Sequence, residues 1–117
     1  MKNMIKSALL TVASFVAFSA SATMSCYVDT PAYDIFKQNY CDAFIANGPH
    51  KTTAVFRIDN PPANLNSVIW SDSSCSQNST ICLVDIQAHR PLTMSATVLK
   101  TDGTYYQVSA RADYEIF

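Results

Sequence analysis

The chain has 117 residues, of which 49% are hydrophobic and 15% are charged, and its formal net charge is −1. This length indicates one small domain, whose limited core is expected to need covalent staples. Lysine and arginine form no cluster in the sequence, which argues against a nucleic acid or an anionic membrane surface as the partner.

The first 22 residues have the pattern of a secretory signal peptide. Lys2 and Lys6 form a basic head, an apolar run covers residues 8–18, and small residues precede a cleavage site after Ala22. The apolar run is too short to anchor the chain in a bilayer, and no later run is long enough to span one. We therefore expect a mature domain of residues 23–117 that is secreted or periplasmic.

The four cysteines all lie in the expected mature part. An oxidising compartment and an even count indicate two disulfides. Of the three ways to pair them we favour Cys26–Cys41 and Cys75–Cys82, because both close short loops, and each closure would stabilise the fold by about 2.5 to 3 kcal/mol. A lipoprotein signal cleaved just before Cys26 is the weaker alternative, because Thr23 stands where a bulky aliphatic residue is wanted.

The segment 23–45 is rich in aromatic residues and would be held by the Cys26–Cys41 disulfide. Its stretch TPAYDIFKQNYCDAF has two interpretations: a short helix begun by Thr30 and Pro31, or an irregular aromatic flap, which we favour. A strand over DAFIANGPH would follow and end at Gly48. The aromatic side chains would cap an open end of the domain or form a binding patch, and the candidate patch residues are Tyr27, Tyr33, Phe36 and Tyr40.

Short strands occupy the middle of the chain. TTAVFRID places Ala54, Phe56 and Ile58 on one face and Arg57 with Asp59 on the other. The prolines of NPPANLN cannot continue a ladder, so that stretch is a connection. SVIW and ICLVDI follow as two further strands, with AHRPL as the next turn, and the residues expected to point inward from these strands are Val68, Trp70, Cys82, Val84 and Ile86.

The last 24 residues predict a long hairpin, because apolar and polar residues alternate on both sides of its turn. A two-residue loop of Asp102 and Gly103 would set each apolar face against a polar one. A three-residue loop that begins at Thr101 pairs Val98 with Tyr106 and so matches the faces, with Gly103 left-handed in a bulge. The same register pairs Ala96 with Val108 and Met94 with Ala110.

The order of these elements resembles immunoglobulin-like and PKD-like domains. AVFRID, VIW and LVDI correspond to their strands B, C and E, the last hairpin corresponds to F–G, and Trp70 corresponds to the core tryptophan of strand C. Six or seven short strands with turns every eight to twelve residues predict an all-β sandwich with a C-terminal hairpin, and the resemblance implies that its topology is an immunoglobulin-like Greek key. The two local disulfides are predicted from the cysteine spacing and the expected export, not from the resemblance. No cysteine lies in the predicted strands B and F, so the B–F disulfide of antibody domains is missing, and so is their Tyr-x-Cys corner. The mature chain also resembles small secreted bacterial proteins, which implies a fold and a compartment but no activity.

The loop between Trp70 and the strand ICLVDI is the most distinctive candidate site. Zinc would want a closer cysteine spacing and more ligands than Cys75, Cys82 and His89 supply, and a redox pair would want Cys-x-x-Cys. A structural disulfide is therefore expected, with no metal or other cofactor. The same loop contains the candidate binding residues Asp72, Ser73, Ser74, Gln77 and Asn78.

Catalytic patterns are weak. The two glycines cannot form a Gly-x-Ser-x-Gly elbow, and a triad of serine with His50 or His89 and an aspartate would be a chance arrangement. We therefore expect a non-enzymatic immunoglobulin-like domain with a binding or structural role at the cell surface or in the envelope, whose partner would be a protein or a glycan. The alternative is a small disulfide-stapled inhibitor of an exogenous enzyme, which would need a protruding, ordered loop, whereas a structural domain would keep that loop flat.

Overall fold

A computed structural model describes residues 22–31 and 34–117, and these contain strands but no helix. The all-β prediction is confirmed. Residues 1–21 of the expected leader, which ends at Ala22, and Tyr33 of the candidate aromatic patch lie outside the described residues. The strands are β1 (Met24–Val28), β2 (Lys37–Gln38), β3 (Tyr40–Ile45), β4 (Lys51–Ile58), β5 (Leu65–Trp70), β6 (Ile81–Gln87), β7 (Leu92–Lys100) and β8 (Tyr105–Ile116).

Two four-stranded sheets form a sandwich. Sheet A has the order β2-β1-β4-β6 and sheet B the order β3-β8-β7-β5. The neighbours are antiparallel except for β3, which runs parallel to β8. With β1, β4 and β6 as strands A, B and E, and β5, β7 and β8 as strands C, F and G, this is the order of an immunoglobulin-like sandwich. The predicted fold class is confirmed, and the two-residue β2 adds one strand to the six or seven expected.

The β7–β8 hairpin has the predicted register. Val98 pairs with Tyr106, and Ala96 pairs with Val108. The turn is closed by a hydrogen bond from the Lys100 N–H to the Thr104 carbonyl, so the loop has the three residues 101–103. Gly103 has a φ of +87°, which a residue with a side chain adopts only at a cost. Matching the apolar faces of the two strands therefore predicted the register and the turn length of this hairpin correctly.

The core lies between the sheets and is formed by alternate residues of each strand. Trp70 is 6% exposed and donates from Nε1 to the Ser79 carbonyl at 3.1 Å, as a buried indole requires. The other predicted inward residues of the middle strands, Ala54, Phe56, Ile58, Val68, Cys82, Val84 and Ile86, are buried as well.

Both predicted disulfides are present. Cys26–Cys41 joins β1 of sheet A to β3 of sheet B, with a Cα–Cα distance of 5.7 Å. Cys75–Cys82 joins the β5–β6 loop to β6, with a Cα–Cα distance of 5.4 Å. Between Cys26 and Cys41 the described residues contain the short β2 and irregular backbone, in agreement with the flap interpretation rather than a helix. Because no helix occurs in the described ranges, none there could cross a membrane.

Candidate functional site

The β5–β6 loop is ordered by hydrogen bonds among its own residues. The Asp72 carboxylate accepts from the N–H of Ser74 at 2.9 Å and from its hydroxyl at 2.6 Å. The Asp72 carbonyl accepts from the Cys75 N–H, and the Ser76 hydroxyl accepts from the Asn78 N–H. Such side-chain turns are typical of serine and aspartate in tight loops. These hydrogen bonds therefore give the β5–β6 loop a defined conformation.

This loop lies along the outer edge of β5. The Val68 N–H donates to the Gln77 carbonyl at 3.0 Å, and the indole of Trp70 donates to the next segment at Ser79. β5 is the last strand of sheet B, so the loop occupies the position that a further strand would take. The loop thus lies flat against the sandwich, although Ser73, Ser74, Gln77 and Asn78 keep exposed side chains.

The described residues of the candidate aromatic patch do not form one surface. Tyr27 lies on β1 of sheet A, where it packs edge-to-face on Phe36 with ring centroids 4.9 Å apart. Tyr40 lies on β3 of sheet B and donates from its hydroxyl to Asp113 at 2.7 Å. The two groups sit on different sheets because β1 and β3 belong to opposite layers of the sandwich.

A polar network at the start of β1 was missed by sequence reasoning. The Asp59 side chain is 8% exposed and accepts from the Thr23 hydroxyl at 2.7 Å and the Ser25 hydroxyl at 2.6 Å. Its other oxygen accepts from Nε of Arg57 at 3.3 Å, and the Arg57 guanidinium stacks 3.8 Å above the ring of Phe36. All three donors face a buried carboxylate, so this network is a structural anchor for the N-terminal strand.

The two histidines do not form a catalytic arrangement in the described structure. His50 and His89 are both exposed. Nδ1 of His89 lies 3.0 Å from a carboxylate oxygen of Glu115, and no hydrogen bond joins either imidazole to a described aspartate. Within residues 22–31 and 34–117, no group of three or more His, Cys, Asp or Glu could hold a metal ion.

An apolar row crosses the outward face of sheet A, and sequence reasoning missed it too. The register places Tyr27 beside Val55 and Val55 beside Leu83. Val55 is buried although it faces outward, whereas Leu83 is 61% exposed and the neighbouring Ile81 is 41% exposed. The alternation of ICLVDI contained the signal, because residues that alternate with Cys82 and Val84 must point outward and two of them are aliphatic. We call the side chains of Tyr27, Val55, Ile81 and Leu83 the sheet A apolar surface.

Leu83 also stands at the side of a surface cavity of about 460 Å³. The cavity follows β6 and reaches Leu92 of β7 and the β5–β6 loop at Asp72 and Ser74. Hydrogen bonds from the Ser74 hydroxyl and N–H hold the pKa of Asp72 below its ordinary value, so this carboxylate is charged at neutral pH. Asp72 therefore places a negative charge in the lining of the cavity beside the apolar edge of sheet A.

Comparison with known proteins adds no relative to this description. A scan against protein-family models, a search of curated proteins and a search of solved structures each found no match to the chain.

Proposed function

We propose that this protein is an exported, non-enzymatic immunoglobulin-like domain that binds another protein through the sheet A apolar surface. The observation that carries the proposal is the exposure of two aliphatic side chains, Leu83 and Ile81, beside one another on an edge strand. A single exposed apolar residue needs no explanation, but an apolar row that continues through Val55 to Tyr27 is typical of an interface.

The chemistry of the remaining surface supports binding rather than catalysis. The two histidines are exposed and lack an aspartate partner among the described residues. An inhibitor would present the β5–β6 loop, but this loop lies flat against β5. At the start of the loop Asp72 and Ser74 are hydrogen-bonded to each other. The sheet A apolar surface is therefore a better candidate for the binding face than the loop.

Export is part of the same proposal. Its support is the leader-like sequence before Thr23 and the two disulfides, which form and persist in oxidising compartments. Expression of the full chain in a bacterium followed by fractionation tests this part. We expect the protein in the periplasm or medium, beginning at Thr23; a full-length protein retained in the cytoplasm would contradict it.

A pair of matched variants tests the binding face. Leu83→Asp places a charge on the sheet A apolar surface, and Ile69→Asp places the same charge on an exposed position of edge strand β5 in sheet B. The purified domains are used to capture proteins from envelope and secreted fractions of the source organism. We expect a partner of the wild type that Ile69→Asp retains and Leu83→Asp binds at least about tenfold more weakly, which corresponds to about 1.4 kcal/mol. Equal binding by both variants would contradict the proposal.

A further inference from the structure

The outer edge of β6 presents main-chain groups that have no partner in the described part of the chain. β6 pairs with β4 on one side only, and hydrogen bonds from Ile58 to Thr80 and from Ala88 to His50 fix the alternation. Even-numbered residues of β6 thus direct their N–H and C=O groups toward β4, and odd-numbered residues direct theirs outward.

Both ends of this edge are closed by local hydrogen bonds. The Ser79 hydroxyl donates to the Ile81 carbonyl at 2.7 Å and accepts from the Ile81 N–H at 3.1 Å. The Gln87 carbonyl accepts from the Arg90 N–H at 3.2 Å. Between these closures the N–H and C=O groups of Leu83 and Asp85 are open, and no described residue hydrogen-bonds to them.

Two of the three other end strands contrast with β6, whereas the third, β3 of sheet B, is six residues long and pairs only with β8 among the described strands. The edge of β5 is covered by its own loop through Gln77, and β2 at the far side of sheet A is only two residues long. Proteins commonly protect sheet edges in these ways, because an open edge is a template for another strand. In an immunoglobulin-like sandwich of constant type, strand D lies beside strand E. The described residues place no strand beside β6, which takes the position of E.

Pairing of β6 with a second copy of itself fits poorly. If two copies of β6 paired antiparallel about a two-fold axis at Val84, only the open main-chain groups would form hydrogen bonds, but each Leu83 would lie opposite the Asp85 carboxylate of the other copy. A two-fold centred on Asp85 sets two carboxylates opposite one another, which is destabilising. A two-fold centred on Leu83 needs the main chain of Ile81, which Ser79 already occupies.

The surroundings of the open edge indicate a different occupant. Leu83 offers an apolar neighbour to a residue placed opposite it, and Asp85 offers a carboxylate 3.5 Å from Lys51. Asp72 adds a second carboxylate to the cavity beside the edge, and none of the residues that line this cavity is basic. An apolar residue and a basic residue two positions apart on one strand would complement this edge.

We propose that β6 binds an extended segment of another protein as an added antiparallel strand, with an aliphatic residue opposite Leu83 and a lysine or arginine opposite Asp85. The inference rests on the proposed protein-binding function and names its mode. Main-chain hydrogen bonds to Leu83 and Asp85 provide affinity, and the alternating side chains provide specificity. The added strand takes the position of strand D.

A designed peptide tests this mode directly. The probe is a blocked heptapeptide, Thr-Val-Lys-Val-Leu-Val-Thr, which places its lysine opposite Asp85 and its leucine opposite Leu83. N-methylation of the lysine nitrogen removes an N–H that would face β6. N-methylation of the following valine removes an N–H that would face solvent and is the matched control. Affinity is measured by fluorescence anisotropy of the labelled peptides with the oxidised domain.

We expect the parent peptide and the valine-methylated control to bind, and the lysine-methylated peptide to bind at least about tenfold more weakly. Replacement of the peptide lysine by glutamate should weaken binding as well, by about twofold to fivefold, because the pair with Asp85 is exposed. On the protein side, Asp85→Pro removes an outward N–H and Asp85→Asn removes only the charge. The proline variant should bind the parent peptide more weakly than the asparagine variant.

The possible results distinguish strand addition at β6 from the wider proposal that the sheet A apolar surface binds a protein. Equal affinity of the two methylated peptides, or no binding of the parent peptide, overturns strand addition. If Leu83→Asp still loses its captured partner in that case, the sheet A apolar surface remains a binding face and only the mode is wrong. If sedimentation shows a dimer that Asp85→Pro dissociates, a second copy is the occupant and the inference fails. The peptide comparison uses the wild-type domain, so it stands even if the proline variant does not fold.

Discussion

Removal of the Cys75–Cys82 disulfide should release the β5–β6 loop and lower the stability of the whole domain. The bond closes a loop with a sequence separation of 7, for which the chain-entropy model gives about 2.5 kcal/mol. Two hydrogen bonds of the loop, from Val68 and from the indole of Trp70, depend on the same closure and add about 0.5 to 1.5 kcal/mol each. The double variant Cys75→Ala/Cys82→Ala should therefore lose about 3.5 to 5.5 kcal/mol.

Urea unfolding followed by the fluorescence of Trp70 measures this loss. A domain of this size has an m-value of about 1 to 1.5 kcal/mol/M, so the unfolding midpoint should fall by about 2 to 5.5 M. Iodide quenching of the folded state should increase, because the loop that covers the edge of β5 is released.

The second disulfide supplies the control. Cys26→Ala/Cys41→Ala opens a loop with a sequence separation of 15, for which the same model gives about 3 kcal/mol. This loss should leave the quenching of Trp70 unchanged, because the loop that covers β5 stays closed. A Cys75→Ala/Cys82→Ala variant with an unchanged midpoint and unchanged quenching would refute the assignment of the loop as a cover of the β5 edge.

Two further predictions concern polar contacts. Asp59→Ala should lower the free energy of unfolding by about 2 to 3 kcal/mol, because it leaves the buried Ser25 hydroxyl without its acceptor. Asp29→Ala removes an exposed carboxylate and should change the free energy of unfolding by less than about 0.5 kcal/mol in the same urea titration. Equal losses in the two variants would contradict the network. The hydrogen bond to Asp113 raises the pKa of Tyr40 above its ordinary value, with burial and the nearby carboxylates adding to it. The folded state thus holds this proton more tightly than the unfolded state, so the contact stabilises below about pH 10 and is lost as the pH rises through the raised pKa. Asp113→Ala should lower the Tyr40 pKa in an NMR titration of the ring carbons, and an unchanged titration would show that the contact does not form.

Local patterns in the sequence predicted the parts of the fold that depend on neighbours along the chain. The β7–β8 register followed from alternation and one glycine, since the two strands are joined by a three-residue turn. The two disulfides followed from the short cysteine spacings and from the expectation that the chain is exported. The burial of Trp70 followed from its place in a short apolar strand.

Features that depend on pairing across the chain could not be predicted in this way. Asp59 is buried against Thr23 and Ser25, which lie 36 and 34 residues earlier, just before and within β1. The candidate aromatic patch is divided because Tyr27 and Tyr40 lie on strands in different sheets. The open edge at Leu83 becomes visible only once β4 is known to pair with β6 on one side and no described strand on the other.

Hydrogen–deuterium exchange at the amides of β6 tests the central claim most directly. In the free domain the Leu83 and Asp85 amides should exchange quickly, because they face solvent, whereas those of Val84 and Ile86 should be protected by the ladder to β4. Addition of the heptapeptide, or of a captured partner, should slow exchange at Leu83 and Asp85. Unchanged exchange at these two amides, with new protection elsewhere on the domain, would contradict the account.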